Sequence, residues 1–356
     1  MGMPPPDAVK PRLVFYGMYD AASAGSAPRV RIRLLSEALA RIARVTMVTG
    51  SRSARLRRGL HLVLGGLRDQ DGVYVETATS SAMPWDLLFL AAARALRVPL
   101  GIYVRDAYPM HRDLYPLPGV RARLSDLGWR LSVAAYRALA SVMFVPSMGM
   151  AEALGLADAV PLPPGTEPDA PNLGAGGEPV VAYVGALAAP VGFERLVEAM
   201  RLVREAMPDA RLLAVGSAPT GSTAPQLPGW VDTRHADRDQ LPALLAPVSV
   251  CAIPLPINRY TNMAWPLKLS DYLSYGKPIV ATATDEVRAA LDGTKAAILV
   301  GDSPAEIADG LLRVLRDRDL AANLAAAARD LAVQPNRTWD SRAAVIAEQL
   351  RARAGG

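Results

Sequence analysis

The sequence predicts an α/β protein made of two doubly wound units, each built on a mainly parallel sheet. Three observations carry this expectation. Short apolar runs alternate with amphipathic helical runs through the first half, and the same rhythm restarts at residue 180. Between the halves, residues 160–179 read VPLPPGTEPDAPNLGAGGEP, dense in Pro and Gly and without apolar periodicity. The chain has 356 residues, about half of them hydrophobic and a fifth charged, which is enough apolar surface for two cores.

The elements follow in order. In the first half, strands are expected at 12–16, 45–49, 72–76, 100–104 and 142–146, and helices at 28–42, 86–96 and 124–140. Ile32, Leu35, Leu39 and Ile42 recur on one face of the first helix. In the second half, strands are expected at 180–184, 211–215, 248–254, 279–283 and 296–300. Helices are expected at 193–206, 240–245, 267–274, 304–316, 320–331 and 339–353. The domains then span 1–168 and 174–338, with a closing segment 339–356 that crosses back onto the first. Ligands of such open sheets bind outside the carboxyl ends of the strands.

Charge is uneven. The first 168 residues hold twenty Lys and Arg against thirteen Asp and Glu, a net of +7, and the remainder carries −2. The basic half could face anionic lipid, a phosphorylated acceptor or nucleic acid, but it holds no nucleic-acid reader motif. Cys251 is the single cysteine, inside an apolar run, so no disulfide framework exists. Three scattered histidines make no metal-ligand cluster, and none of the chemistry below calls for a cofactor. Residues 1–10 lack the apolar core of a secretory signal, and 85–104 is interrupted by Arg94, Arg97 and Pro99. A cytoplasmic protein is expected. Residues 51–68, SRSARLRRGLHLVLGGLR, read either as a basic amphipathic helix lying on the inner face of a membrane or as an ordinary docked helix with a solvated basic face.

The stretch 253–282, IPLPINRYTNMAWPLKLSDYLSYGKPIVAT, is the most informative. Pro266 suits a first helical turn and Gly276 a helix C-terminus. Lys268, Asp271, Tyr272 and Tyr275 share a helix face. A lysine in the first turn of a helix, whose N-terminus is itself positive, is ready to hold a diphosphate. A carboxylate one turn further in can accept two hydrogen bonds from a ribose diol. The alternative is a surface helix carrying a Lys–Asp pair.

Residues 266–282, PLKLSDYLSYGKPIVAT, resemble the nucleotide-binding signature of the retaining, family-4-type glycosyltransferases (glycosyl transferases group 1). The segments 160–167, 181–196, 211–216, 241–254, 281–302 and 338–340 resemble further stretches of that family. The resemblance implies the GT-B fold, two Rossmann-like βαβ domains facing each other across a cleft. It implies a hexosyltransferase moving sugar from a nucleoside diphosphate to a glycan, lipid-linked or small-molecule acceptor, with retention and without metal. It places Lys268 at the diphosphate and Asp271 at the ribose. Gly185 would sit where the backbone approaches the phosphates, and the loop after Gly216 beside the base. The chain also departs from the pattern. Asp271 stands where Glu is usual, Met263 where the first Glu of an E-x7-E pair is usual, and 185–192 lacks the usual cations. Asn262 or Thr261 could then meet the donor sugar, and Tyr272 lines the same helix face.

In the first half, 101–115, GIYVRDAYPMHRDLY, resembles the family's strand and loop whose histidine faces the acceptor. Arg105 occupies that position, followed by Asp106. Asp106 is the first candidate for acid–base work and Arg105 can hold a phosphate bidentately. Glu76 and His111 are candidates for acceptor contact, and the loop 19–28 for the donor phosphates. No G-x-G-x-x-G follows a strand, which argues against a dinucleotide dehydrogenase. A GT-B sugar-nucleotide epimerase and a non-catalytic glycosyltransferase-like subunit remain open.

Overall fold

The computed structural model describes residues 10–19, 27–117, 119–217 and 227–354. The chain divides into two units, residues 1–163 with 339–356 and residues 164–338. The division falls inside the Pro-rich segment, five residues before the boundary read from composition.

The first unit opens with β1 (Arg12–Gly17), α1 (Ala27–Ile42) and β2 (Arg44–Val48), then α2 (Arg52–Gly65), β3 (Gly72–Glu76) and α3 (Pro84–Ala95). β4 (Leu100–Tyr103), α4 (Val120–Leu139), β5 (Val142–Val145), α5 (Met148–Ala153) and β6 (Val160–Pro161) complete its sheet. The strand order is β2-β1-β3-β4-β5-β6, every pair parallel. β3 and β4 are buried along their whole length, as strands covered by helices on both faces must be.

The second unit runs through β7 (Glu178–Val184), α6 (Phe193–Ala206), β8 (Arg211–Val215), β9 (Val231–Arg234), α7 (Leu241–Leu245) and β10 (Val248–Ile253). It continues with α8 (Leu267–Ser274), β11 (Ile279–Thr282), α9 (Asp285–Leu291), β12 (Ala297–Val300), α10 (Pro304–Arg316) and α11 (Arg318–Ala332). The strand order is β12-β11-β10-β7-β8-β9, again all parallel. Two apolar clusters cover the two faces of this sheet: one holds Leu269, Tyr272 and Leu273, the other Phe193, Leu196 and Leu311. The order reverses between β10 and β7, so the crevice at their carboxyl ends is the place this topology offers a ligand. α12 (Trp339–Arg351) belongs to the first unit, where it packs on α1, β3 and β4.

Candidate functional site

In the second unit the site grows from the carboxyl ends of β7 and β8. Val184 and Val215 are register partners, and the chain leaves each strand through a glycine. Gly185 has φ +145° and Gly216 φ +158°, left-handed values that other residues resist. A Cβ on Gly216 would stand 1.8 Å from the Gly185 carbonyl oxygen. The two turns therefore pack backbone against backbone, which only glycine permits. The loop 218–226 that follows Gly216, read as lying beside the base, falls outside the described residues.

Helix α8 brings Lys268 to the same edge. Pro266 caps it in an extended conformation, and its first turn closes with Leu269 N donating to Pro266 O at 3.0 Å. Lys268 Nζ stands 3.8 Å from the centroid of the Tyr183 ring, and a Cβ on Gly185 would lie 3.0 Å from it. The ammonium is half-buried, and burial pushes its pKa down to about 7. Tyr272 is fully buried and its hydroxyl accepts the Val184 N–H at 2.8 Å. It thus ties α8 to the end of β7 and sets the height of Lys268 above Gly185, rather than lining a ligand surface. Tyr272→Phe leaves the Val184 N–H short of that acceptor. A loss of about 1–3 kcal/mol is expected in thermal or urea denaturation, and a stability equal to wild type would refute this tie.

Asp271, one turn into α8, is 7% exposed. Burial pushes its carboxyl up, and Arg238 offsets part of that effect. Arg238 Nη1 lies 2.8 Å from Asp271 Oδ1, and the same guanidinium bonds Glu167. Arg238 lies between Asp237 and Asp239. Both aspartates are exposed, but Arg238 between them is turned inward, a contact no spacing signal announces.

The loop entering α8 holds Asn262 and Met263. Asn258 Oδ1 accepts the N–H groups of Tyr260 and Thr261, which curls the loop. Met263 is 4% exposed. Asn262 Oδ1, Trp265 Nε1 and Thr284 Oγ1 are buried without a hydrogen-bond partner, an unusual cost for three polar atoms of one locality. Their locality is fixed by the Glu286 N–H, which donates to Asn262 O at 3.3 Å.

In the first unit, the switch point lies between β1 and β3. Glu76 ends β3 with no exposed surface. Its carboxylate accepts from Arg31 Nε at 2.9 Å, Tyr74 OH at 2.7 Å and Arg105 Nη2 at 2.7 Å. Expected as an acceptor contact, Glu76 is instead spent on holding Arg105, whose guanidinium alone of the three partners reaches solvent at the sheet edge, 10% exposed. Arg31 lies over the Tyr103 ring at 3.9 Å. Asp106 Oδ2 accepts from Thr79 Oγ1 at 2.8 Å, and Thr79 in turn bonds the Tyr19 hydroxyl. His111, the other candidate for acceptor contact, is buried just beyond a short 3₁₀ turn. Of the loop 19–28, residues 20–26 lie outside the described residues. Among the described residues, no three of His, Cys, Asp and Glu are placed so that they could hold a metal ion.

Residues 178–317 match the family model described as glycosyl transferases group 1. No curated protein matches the chain. Solved structures do. HepE from Anabaena in complex with UDP-glucose is 17% identical, with a TM-score of 0.68 over 96% of this chain and 100% of that one. Sucrose-phosphate synthase from Thermosynechococcus elongatus is 16% identical, with a TM-score of 0.67 over 96% and 98%. The UDP-forming α,α-trehalose-phosphate synthase from Burkholderia xenovorans, in complex with glucose-6-phosphate, is 13% identical, with a TM-score of 0.64 over 96% and 100%. At these identities the likeness establishes the fold. It is the GT-B fold that the sequence resemblance implied, and the resemblance to group 1 glycosyltransferases is borne out over residues 178–317.

Proposed function

We propose that this GT-B chain, a group 1 glycosyltransferase by family match over residues 178–317, transfers a hexose from a nucleoside diphosphate to a glycan, lipid-linked or small-molecule acceptor with retention. The observation that carries the reading is Lys268. A half-buried ammonium sits against the glycine end of β7, at the switch point of the sheet, with its pKa pushed down to about 7. Such a charge is costly without an anion, and a diphosphate supplies one. Structures of the same fold support the ligand class, since HepE is bound to UDP-glucose.

In this reading Lys268 and the Gly185 turn take the diphosphate. Asp271, steadied by Arg238, takes the ribose diol, the shorter side chain replacing the usual Glu. Asn262 Oδ1 accepts a hydroxyl of the donor sugar, which would satisfy one of the buried orphaned atoms. The bond from the anomeric carbon to the diphosphate oxygen breaks as the bond to the acceptor oxygen forms on the same face. The acceptor proton passes to the leaving diphosphate, whose charge Lys268 stabilises. Arg105 and Asp106 are the groups proposed to meet the acceptor, and the reaction is proposed to need no metal.

Thermal shift with UDP, GDP, ADP, TDP and CDP tests the donor site. A rise of several degrees with one base, lost in Lys268→Ala and in Asp271→Ala, is the expected result. No shift with any of them would end the assignment. The buried Met263, standing where a donor-contacting Glu is usual, favours a second reading, a nucleotide-binding subunit without turnover. Nucleotide binding with no release of nucleoside diphosphate from any donor sugar, across an acceptor panel, would favour it.

A further inference from the structure

Three adjacent helices of the first unit carry apolar surface that the fold leaves uncovered. The connections β2 to β3, β3 to β4 and β4 to β5 run in one direction across the sheet, so right-handed crossovers set α2, α3 and α4 side by side on one face. α2 packs on α3 and α3 on α4. Helix α4 is apolar on two opposite faces. Ala122, Trp129, Val133 and Tyr136 turn into the core. Val120, Leu124, Leu127 and Leu131 recur at intervals of four, three and four on the other side, 54–72% exposed. An ordinary surface helix places charge along that line.

Helix α2 is oriented the same way. It docks through Arg55, Gly59 and Leu62, with Arg55 paired to the buried Asp86 of α3 at 3.3 Å. Leu56, Leu60 and Leu64 are thereby held outward, Leu64 at 78% exposure. The sequence left 51–68 open between a membrane helix and a docked helix with a solvated basic face. The structure docks it, but on a polar and small face, so the exposed side is leucine and arginine together.

The charge on this layer has one sign. α2, α3 and α4 contain two acidic residues, Asp86 and Asp126, and each is held by an arginine, Arg55 and Arg112. Eight arginines of the three helices are exposed, among them Arg57, Arg58, Arg121, Arg123 and Arg130. On α4, Arg121, Arg123 and Arg130 flank the apolar line on both sides. Their stems can lie along it while the guanidinium groups reach outward.

We propose that the α2–α3–α4 face docks on an anionic lipid bilayer, its leucines entering the boundary between headgroups and acyl chains and its arginines meeting lipid phosphates. A second copy of the chain is a poor occupant, because a two-fold contact through this face would set arginines against arginines with no acid to answer them. Among the described residues no helix is long and apolar enough to cross a membrane, so the contact is made from one side.

The test is co-sedimentation of the full chain with vesicles of phosphatidylcholine alone and with vesicles that also contain phosphatidylglycerol, at low and high salt. Binding is expected only to the anionic vesicles and should weaken with salt. Two combined variants probe the face: Leu124→Gln with Leu127→Gln and Leu131→Gln, and Arg121→Gln with Arg123→Gln and Arg130→Gln. Each should lower the partition coefficient at least about tenfold, with circular dichroism and melting temperature unchanged because the side chains are exposed. The proposal is overturned if the protein ignores anionic vesicles, or if the leucine variant binds them as wild type does. It is equally overturned if analytical ultracentrifugation finds a dimer that the leucine variant abolishes, since the face would then be self-associating. None of these readouts involves a nucleotide, so failure here and failure of the donor site are separable.

Discussion

Lys268→Met is expected to weaken nucleoside-diphosphate-sugar binding about 100-fold, as loss of a charge-assisted contact to a diphosphate should, while making the ligand-free protein more stable. The two effects have one cause. The lysine is held where burial opposes its charge, with a pKa of about 7 against about 10.4 for a free side chain. Between those values the unfolded chain binds the proton and the folded chain does not. Stability therefore rises as pH climbs from about 7 towards about 10.4, and is lowest where the buried ammonium must stay charged. Methionine fills similar volume without charge, so a gain of about 1–2 kcal/mol is expected at pH 6, after discounting for partial exposure. Donor binding is expected to show the opposite pH dependence. A nucleoside diphosphate sugar keeps its charge across this range, and it selects the charged lysine. Affinity should be highest below pH 7 and fall by up to about tenfold per pH unit above it, with close to one proton taken up at pH 8. Calorimetric titrations in buffers of different ionisation enthalpy measure that proton. Lys268→Arg should bind with a flat pH profile, arginine being charged throughout. A flat profile in the wild type would remove Lys268 from the phosphate site.

Helix α8 was legible because its chemistry is local. Pro266, Lys268, Asp271 and Gly276 lie within eleven residues, and the periodicity that buries Leu269 and Leu273 fixes which side Lys268 faces. The strands ending at Gly185 and Gly216 were legible for the same reason, an apolar run halted by a residue that tolerates positive φ. What the sequence hid is non-local. Arg238 reaches Asp271 across thirty-three residues, and nothing in the DRD pattern marks the central arginine as buried. β9 escaped notice because an edge strand reading VDTR has little to bury. α5, α9 and the two-residue β6 are too short for periodicity to accumulate. The exposed leucines of α2 and α4 could not be read for a different reason. Apolar spacing announces an amphipathic helix but not which face docks, and in α2 the docking face is Arg55, Gly59 and Leu62. Glu76 shows the limit most plainly. Its place at the end of β3 was read correctly, yet its partners come from α1 and from the residues after β4, so its task could not be inferred from position alone.

That task predicts the second large effect. Glu76→Gln keeps the shape of the side chain and removes its charge, leaving Arg31 and Arg105 buried or nearly so with no anion between them. Removing one member of a buried ion pair costs about 3–5 kcal/mol, and here a single carboxylate serves two guanidiniums, so the upper half of that range is expected. For a unit of this size it corresponds to a fall of roughly 8–15 °C in melting temperature. Arg105→Met should cost far less, because Glu76 keeps Arg31, and a neutral side chain at the sheet edge brings no new charge inward. The double variant Glu76→Gln with Arg105→Met should recover part of the loss, since one of the two uncompensated cations is gone. The coupling between the sites should exceed about 1 kcal/mol in a double-mutant cycle. A purely structural triad would show this coupling and nothing more. If Glu76 also positions Arg105 for the acceptor, a milder variant, Glu76→Asp, should raise the acceptor KM while donor affinity stays that of wild type. The shorter acid cannot reach both arginines at once, and Arg31, the deeper of the two, is the one it would keep. An acceptor KM unchanged in Glu76→Asp, together with a lowered melting temperature, would confine the triad to stability and leave Arg105 without a part in acceptor binding.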